Sequence, residues 1–187
     1  MSTQEQLGIF LYSVARNHQF CGITEGFQRS IDTIHRVYHK VMKCFLTPGL
    51  YNHAIRHAKA DPIPPKIRDS DNNYPYFEDC VGPIDGTHIP AHVPLSEQNN
   101  WRDRKGHISQ NVLASCDFDL RFTNLVVSNK GSVADSTLWT EAMNAQQLHI
   151  PAGKYVLGNA GFSNCDSCLI PYTNTRYYLQ EWTNAKQ

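Results

Sequence analysis

Two acidic residues stand where metal-assisted chemistry would need them. Asp85 lies in Gly82-Pro83-Ile84-Asp85-Gly86-Thr87-His88-Ile89, an acid inside an apolar run punctuated by Gly and Pro. Asp135 follows 50 positions later in Gly131-Ser132-Val133-Ala134-Asp135-Ser136, among small residues that precede a helical pattern. Hard cations such as Mg²⁺ and Mn²⁺ take oxygen ligands, and two carboxylates on separate elements supply both the oxygens and the compensating charge. An Asp before Gly or Ser is equally at home in a turn or a helix cap. Spacing alone leaves both readings open.

Three further clusters carry chemistry. Trp101-Arg102-Asp103-Arg104-Lys105-Gly106 is a basic knot beside an aromatic ring, able to grip a phosphate backbone or stack on a base, or simply to form a charged turn. Arg36, Lys40 and Lys43 recur at helical spacing off an apolar stripe, as a DNA-reading helix or a solvated one would have them. Cys165-Asp166-Ser167-Cys168 has no second C-x-x-C, and His35 and His39, which stand one helical turn apart and leave a zinc reading open, lie far from it in sequence. Zinc and redox roles are therefore not expected, and the six cysteines read as free thiols.

The elements that must position these groups follow from periodicity. Leu7, Phe10, Leu11 and Val14 predict an amphipathic helix over 4–18, with a break at Gly22 and Gly26 and Phe27 as a plug. Ser30 is a fitting N-cap for a second helix to about Phe45, with a stripe of Ile31, Ile34, Tyr38, Val41 and Phe45. Residues 48–75, with Asp61-Pro62-Ile63-Pro64-Pro65 and a polar loop at 69–73, read as a linker. Beyond it the pattern predicts a strand over 81–89, a hairpin of 107–116 and 120–128, a helix over 136–147 and a strand over 154–157. At 187 residues, with 41% apolar, 18% charged and 11% aromatic content, the chain is a globular domain plus a small helical segment. Its net charge is zero, yet residues 1–60 hold seven Lys/Arg against three Asp/Glu (+4) and the rest ten against fourteen (−4). A basic first third suits a segment facing nucleic acid, or an ordinary solvated face. No run of eighteen apolar residues exists and the first residues do not resemble a signal peptide, which predicts an intracellular protein without a membrane span.

Several blocks in order resemble the PIF/Harbinger-type DDE transposases and their domesticated nuclease relatives. They are Tyr76-Phe77-x-Asp79-Cys80-x-Gly82-x-Ile84-Asp85-Gly86-Thr87-His88-Ile89, Arg102-x-Arg104-Lys105-Gly106-x-Ile108-Ser109-Gln110-Asn111-Val112-Leu113, and Cys116-Asp117-Phe118-Asp119-x-Arg121-Phe122. Gly131-Ser132-x-x-Asp135-Ser136, Tyr155-x-Leu157-x-Asn159-Ala160-Gly161-Phe162, Leu169-x-Pro171-Tyr172 and Arg176-Tyr177-x-Leu179 complete the series. The resemblance covers about residues 5–182. It implies an α/β fold with an RNase H-like mixed sheet over 76–187, joined by the 48–75 linker to a helix-turn-helix-like segment over 1–47. It implies Mg²⁺ or Mn²⁺ as cofactor, DNA as partner, an accessory DNA-binding protein as a second partner, and a nuclear location. Carried over by motif, Asp85 is the first metal ligand and Asp135 an accessory acid. Asn159 stands where the family has an Asp: it keeps a carbonyl oxygen that can contact a cation but lacks the charge. The family's final glutamate belongs to a block beyond residue 187, and Glu181 does not take its role. The expectation is a transposase-derived nuclease domain impaired in catalysis, or a non-catalytic DNA- or protein-binding module.

Overall fold

The computed structural model describes residues 1–16, 20–172 and 175, which fall into two compact units, Met1–Ala54 and Ile55–Gln187. The first unit holds α1 (Thr3–Arg16), α2 (Phe20–Phe27), α3 (Ile31–Phe45) and α4 (Pro48–Ala54). Gly22 and Gly26, expected to break the chain, lie inside α2. A helical glycine costs about 1 kcal/mol against alanine, whereas burying a side chain such as Ile23, fully buried with Ile9, Ile34 and Val37, contributes about 1.5–3 kcal/mol. Packing therefore outweighs propensity. The break falls instead at Gln28–Ser30, where Gln28 has φ 50° and Ser30 caps α3 by accepting the Thr33 N–H.

Two apolar stripes differ from expectation. On α1 the buried residues are Ile9 and Ser13, while Leu7, Leu11 and Val14 are exposed. The buried face lies one residue earlier because Gly8 leaves a flat site for the Phe27 ring, 3.7 Å from where a β-carbon would stand. On α3, Ile34 and Val37 are buried, whereas Ile31 and Phe45, at the ends of the helix, are exposed.

The second unit begins inside the expected linker. His57 Nδ1 meets the Thr123 carbonyl at 3.0 Å, Ile67 of the short helix α5 (Pro65–Arg68) is buried, and Lys66 contacts the Phe118 carbonyl and Asp119. Residues 55–75 are thus held to this unit by their own contacts.

Its centre is a mixed sheet of β1 (Cys80–Pro90), β2 (Ser109–Cys116), β3 (Phe122–Lys130), β4 (Tyr155–Leu157) and β5 (Cys168–Leu169), in the order β3-β2-β1-β4-β5. β1, β2 and β3 are antiparallel neighbours. The β2–β3 turn closes on Asp117, whose Oδ1 accepts the N–H groups of Asp119 and Arg121. After β3 the helix α6 (Asp135–Asn144) carries the chain over, so β4 joins β1 in parallel and β5 joins β4 in parallel. α6 buries Leu138, Trp139 and Ala142 against Ile84, Leu113, Val126, Val156 and Phe162 of the sheet side. Trp139 meets Phe162 edge-on. No helix among the described residues is long and apolar enough to cross a membrane.

Candidate metal and nucleic-acid site

The period of two along β1 decides where Asp85 points. Cys80, Gly82 and Ile84 are buried in the core and Asp85 comes out exposed on the other side of the pleat. Its Oδ1 accepts the N–H of Gly86 at 2.9 Å. β4 pairs with β1 only as far as Pro83↔Leu157, so Asp85 lies just past the last pair and the segment leaving β4 meets it there. Asn159, on that segment, donates Nδ2–H to Asp85 Oδ1 at 2.9 Å while its Oδ1 accepts the Gly161 N–H at 2.7 Å. Both bonds fix the amide's orientation. Turned over, it would set oxygen against oxygen and N–H against N–H.

Asp135 arrives from the opposite direction as the first residue of α6. The N-cap is Ala134, which makes no side-chain bond, and the Asp135 carboxylate is held instead by Asn111 of β2. Asn111 Nδ2 donates to Asp135 Oδ1 and to the Val133 carbonyl, both at 3.0 Å. Asn111 is 1% exposed, and its Oδ1 is buried without a partner among the described residues.

Glycine lets these groups meet. A β-carbon on Gly86 would stand 2.1 Å from Asp135 Oδ1 and 2.7 Å from its Cγ, so the carboxylate lies directly against the Gly86 backbone. One on Gly161 would stand 2.9 Å from Asn159 Oδ1 and 3.9 Å from Asp135 Oδ2. Asp85, Asp135 and Asn159 therefore gather around Gly86 and Gly161. Among the described residues no three His, Cys, Asp or Glu side chains form a metal cage. The donor set offers a hard cation two carboxylates, one bonded to the Gly86 N–H and one packed against the Gly86 α-carbon. It does not fit two such cations, since Asn159 turns its NH₂ rather than its oxygen toward Asp85.

Beside this point a cleft of about 690 Å³ runs between β1, the start of α6 and the 102–108 loop. Arg102, Arg104 and Lys105 are exposed and line it together with Asp135 and His88. Asp103 organises the loop: its Oδ1 accepts the N–H groups of Lys105 and His107, and Arg102 donates to the Gly106 carbonyl. Burial pushes the Asp103 carboxyl up, but those N–H groups and the nearby His107 and His88 together hold it below the usual range. Trp101, beside this loop, is half-buried with its indole N–H out of solvent.

The other candidates lie elsewhere. Arg36, Lys40 and Lys43 are exposed along α3 in the first unit, with Arg36 3.3 Å from Asp32. His35 and His39 face each other with Nε2 atoms 3.1 Å apart. Cys165 and Cys168 are free, and burial, with Cys165 nearby, pushes the Cys168 thiol up to about 11. The block Arg176-Tyr177-x-Leu179 and Glu181 lie outside the described residues. Asn111 and Gly86 were visible in sequence without a role. An Asn among Val and Leu in a strand is the signal that marks the first.

A family model described as DDE superfamily endonuclease matches residues 84–187, and one described as a domain of unknown function matches residues 1–47. Protein ALP1-like of Arabidopsis thaliana is 21% identical over 92% of this chain and 45% of its own length. The chain thus spans under half of that curated relative. No solved structure matches it.

Proposed function

This chain belongs to the DDE superfamily endonuclease family, and from that premise we propose that it is a Harbinger-type, transposase-derived domain that binds DNA and one divalent cation, with its phosphodiester chemistry impaired. The observation that carries the reading is that Asp85 and Asp135 both contact Gly86, the first by accepting its N–H and the second by packing against its α-carbon. Three antiparallel strands, a crossover helix and two parallel strands support an RNase H-like core. Asp85 and Asp135 would hold Mg²⁺ or Mn²⁺; a bound cation of this kind polarises a phosphodiester and offsets its charge.

The chain's own residues define the rest. Arg102, Arg104 and Lys105 border the cleft that Asp135 closes, putting positive charge where a DNA backbone would run. Asn159 accounts for the impairment: its NH₂ already satisfies Asp85, and it adds no charge for the second ion of a two-metal reaction. In the first unit, the α2–turn–α3 arrangement with Arg36, Lys40 and Lys43 supports a helix-turn-helix-like DNA reader. A DNA substrate places the protein's work in the nucleus, with an accessory DNA-binding protein as a second partner. The Asn159–Asp85 bond favours one further reading, a module that binds DNA or protein with no catalysis at all.

Binding of a labelled 30-base-pair duplex of mixed sequence, without divalent ions and across a salt series, tests this. We expect affinity to fall as salt rises. Replacing Arg102, Arg104 and Lys105, or Arg36, Lys40 and Lys43, with Gln should flatten the log–log slope by about 2–3 in each case. Slopes unchanged in both variants would remove the DNA reading. Mg²⁺-dependent nicking of plasmid DNA, lost in Asp85→Ala, would overturn the impairment.

A further inference from the structure

We infer that His88 is a substrate-binding residue, a neutral hydrogen-bond donor to a nucleic-acid phosphate in the cleft beside Asp135. The inference rests on the DNA reading above and adds to it a residue outside the acidic site and outside the basic loop.

Position comes first. Side chains two apart on a strand share a face, so His88 is on the same side of β1 as Gly86, against which Asp135 lies. His88 and Asp135 accordingly line one cleft together with Arg102, Asp103, Arg104 and Lys105.

The tautomer comes next. His88 Nδ1 is 3.0 Å from the hydroxyl of Ser109. Ser109 is 2% exposed, and no other hydrogen-bond acceptor for its hydroxyl is found among the described residues. A buried hydroxyl needs an acceptor, so the Ser109 proton goes to His88 Nδ1. The neutral ring then carries its own hydrogen on Nε2. That nitrogen has no lone pair left to take a proton, so it cannot serve as a general base. It can donate, and His88, exposed on the cleft wall, makes no other hydrogen bond among the described residues. Three cations, Arg102, Arg104 and Lys105, outnumber the two acids, Asp103 and Asp135, that share this cleft with His88, and a backbone phosphate is the anion such an excess of positive charge would attract.

A neutral donor leaves a signature that a lysine or arginine does not. Removing a cation flattens the salt dependence of DNA binding, because fewer counterions are released; removing a neutral donor weakens binding at an unchanged slope. The test measures binding of the same 30-base-pair duplex to full-length His88→Ala and His88→Gln at pH 8, with the imidazole ¹⁵N spectrum of the parent and of Ser109→Ala. We expect His88→Ala to lose about three- to tenfold in affinity with its slope unchanged, and His88→Gln, which keeps an N–H, to recover part of it. We also expect His88 in the parent to be protonated at Nε2 only, and Ser109→Ala to release that preference. Parent-like binding by His88→Ala, alongside weakened binding by the Arg104→Gln/Lys105→Gln variant, would overturn the role of His88 alone. A slope flattened by about one in His88→Ala, or a proton on Nδ1 in the parent, would overturn the neutral donor. A parent that fails to bind the duplex would take the inference and the DNA reading down together.

Discussion

Gly86→Ala removes divalent-cation binding and destabilises the second unit. The new β-carbon would sit 2.1 Å from Asp135 Oδ1 and 2.7 Å from its Cγ, far inside contact distance. The carboxylate has little room to yield, because its Oδ1 is held by Asn111, which is itself buried and tied to the Val133 carbonyl. Either Asp135 swings away and breaks that bond, or β1 shifts out of register with β2, where Gly86 faces Leu113. Overpacking of this kind costs about 1–3 kcal/mol, which lowers the melting temperature by roughly 3–10 °C for a domain of this size. Calorimetric titration with Mn²⁺ and a thermal melt of the variant check both effects. Parent-like Mn²⁺ affinity would mean that Asp135 is not part of a cation site.

Asn159→Asp has the second largest effect, and its sign depends on whether a cation is present. In the parent, the Asn159 NH₂ donates to Asp85 Oδ1 at 2.9 Å, occupying the place a positive charge would take. An Asp there sets a second carboxylate against the first, since Gly161 N–H can satisfy only one of its oxygens. Without metal, two ionised carboxylates so close raise the pKa of one of them. A carboxyl whose folded pKa is raised contributes stability that is present below its unfolded pKa and lost as pH rises through the folded value. The metal-free variant should therefore be less stable than the parent at pH 7 and approach it near pH 4. With Mn²⁺ the order reverses, because a third carboxylate tightens binding on the order of tenfold or more. Melts at pH 4 and pH 7, with and without Mn²⁺, give the four values. A variant as stable as the parent at pH 7 without metal would show that residue 159 does not face Asp85.

The acids were legible in sequence, and what holds them together was not. Asp85 and Asp135 stand out as acids among apolar and small residues, and the ordered blocks gave their family. The role of Gly86 depends on how closely the start of α6 approaches β1, which no local pattern encodes. Asn111 reads as a polar intruder in an apolar strand, but its partners, Val133 and the first residue of α6, lie 22 and 24 positions away. The long strands and α6 were readable from their periodicity. β5 was not, because two residues, Cys168 and Leu169, carry no period and become a strand only by pairing with Val156 and Leu157. On α1 both sides are apolar, so the choice of buried face was made by Phe27 settling on Gly8, a tertiary contact. Within the stretch 48–75, read as a linker, the contacts of its second part were hidden for a similar reason: prolines and polar residues mask anchors such as Ile67 and His57.

Whether Asp85 and Asp135 share one cation can be read directly from their side-chain carboxylate ¹³C signals, assigned with Asp85→Asn and Asp135→Asn, as Mn²⁺ is added below stoichiometry. Both signals should broaden in parallel, ahead of exposed carboxylates such as Asp32 and Asp69, and either substitution should abolish the broadening of the remaining acid. Broadening of only one of the two, or of neither before the exposed acids, would contradict a shared cation.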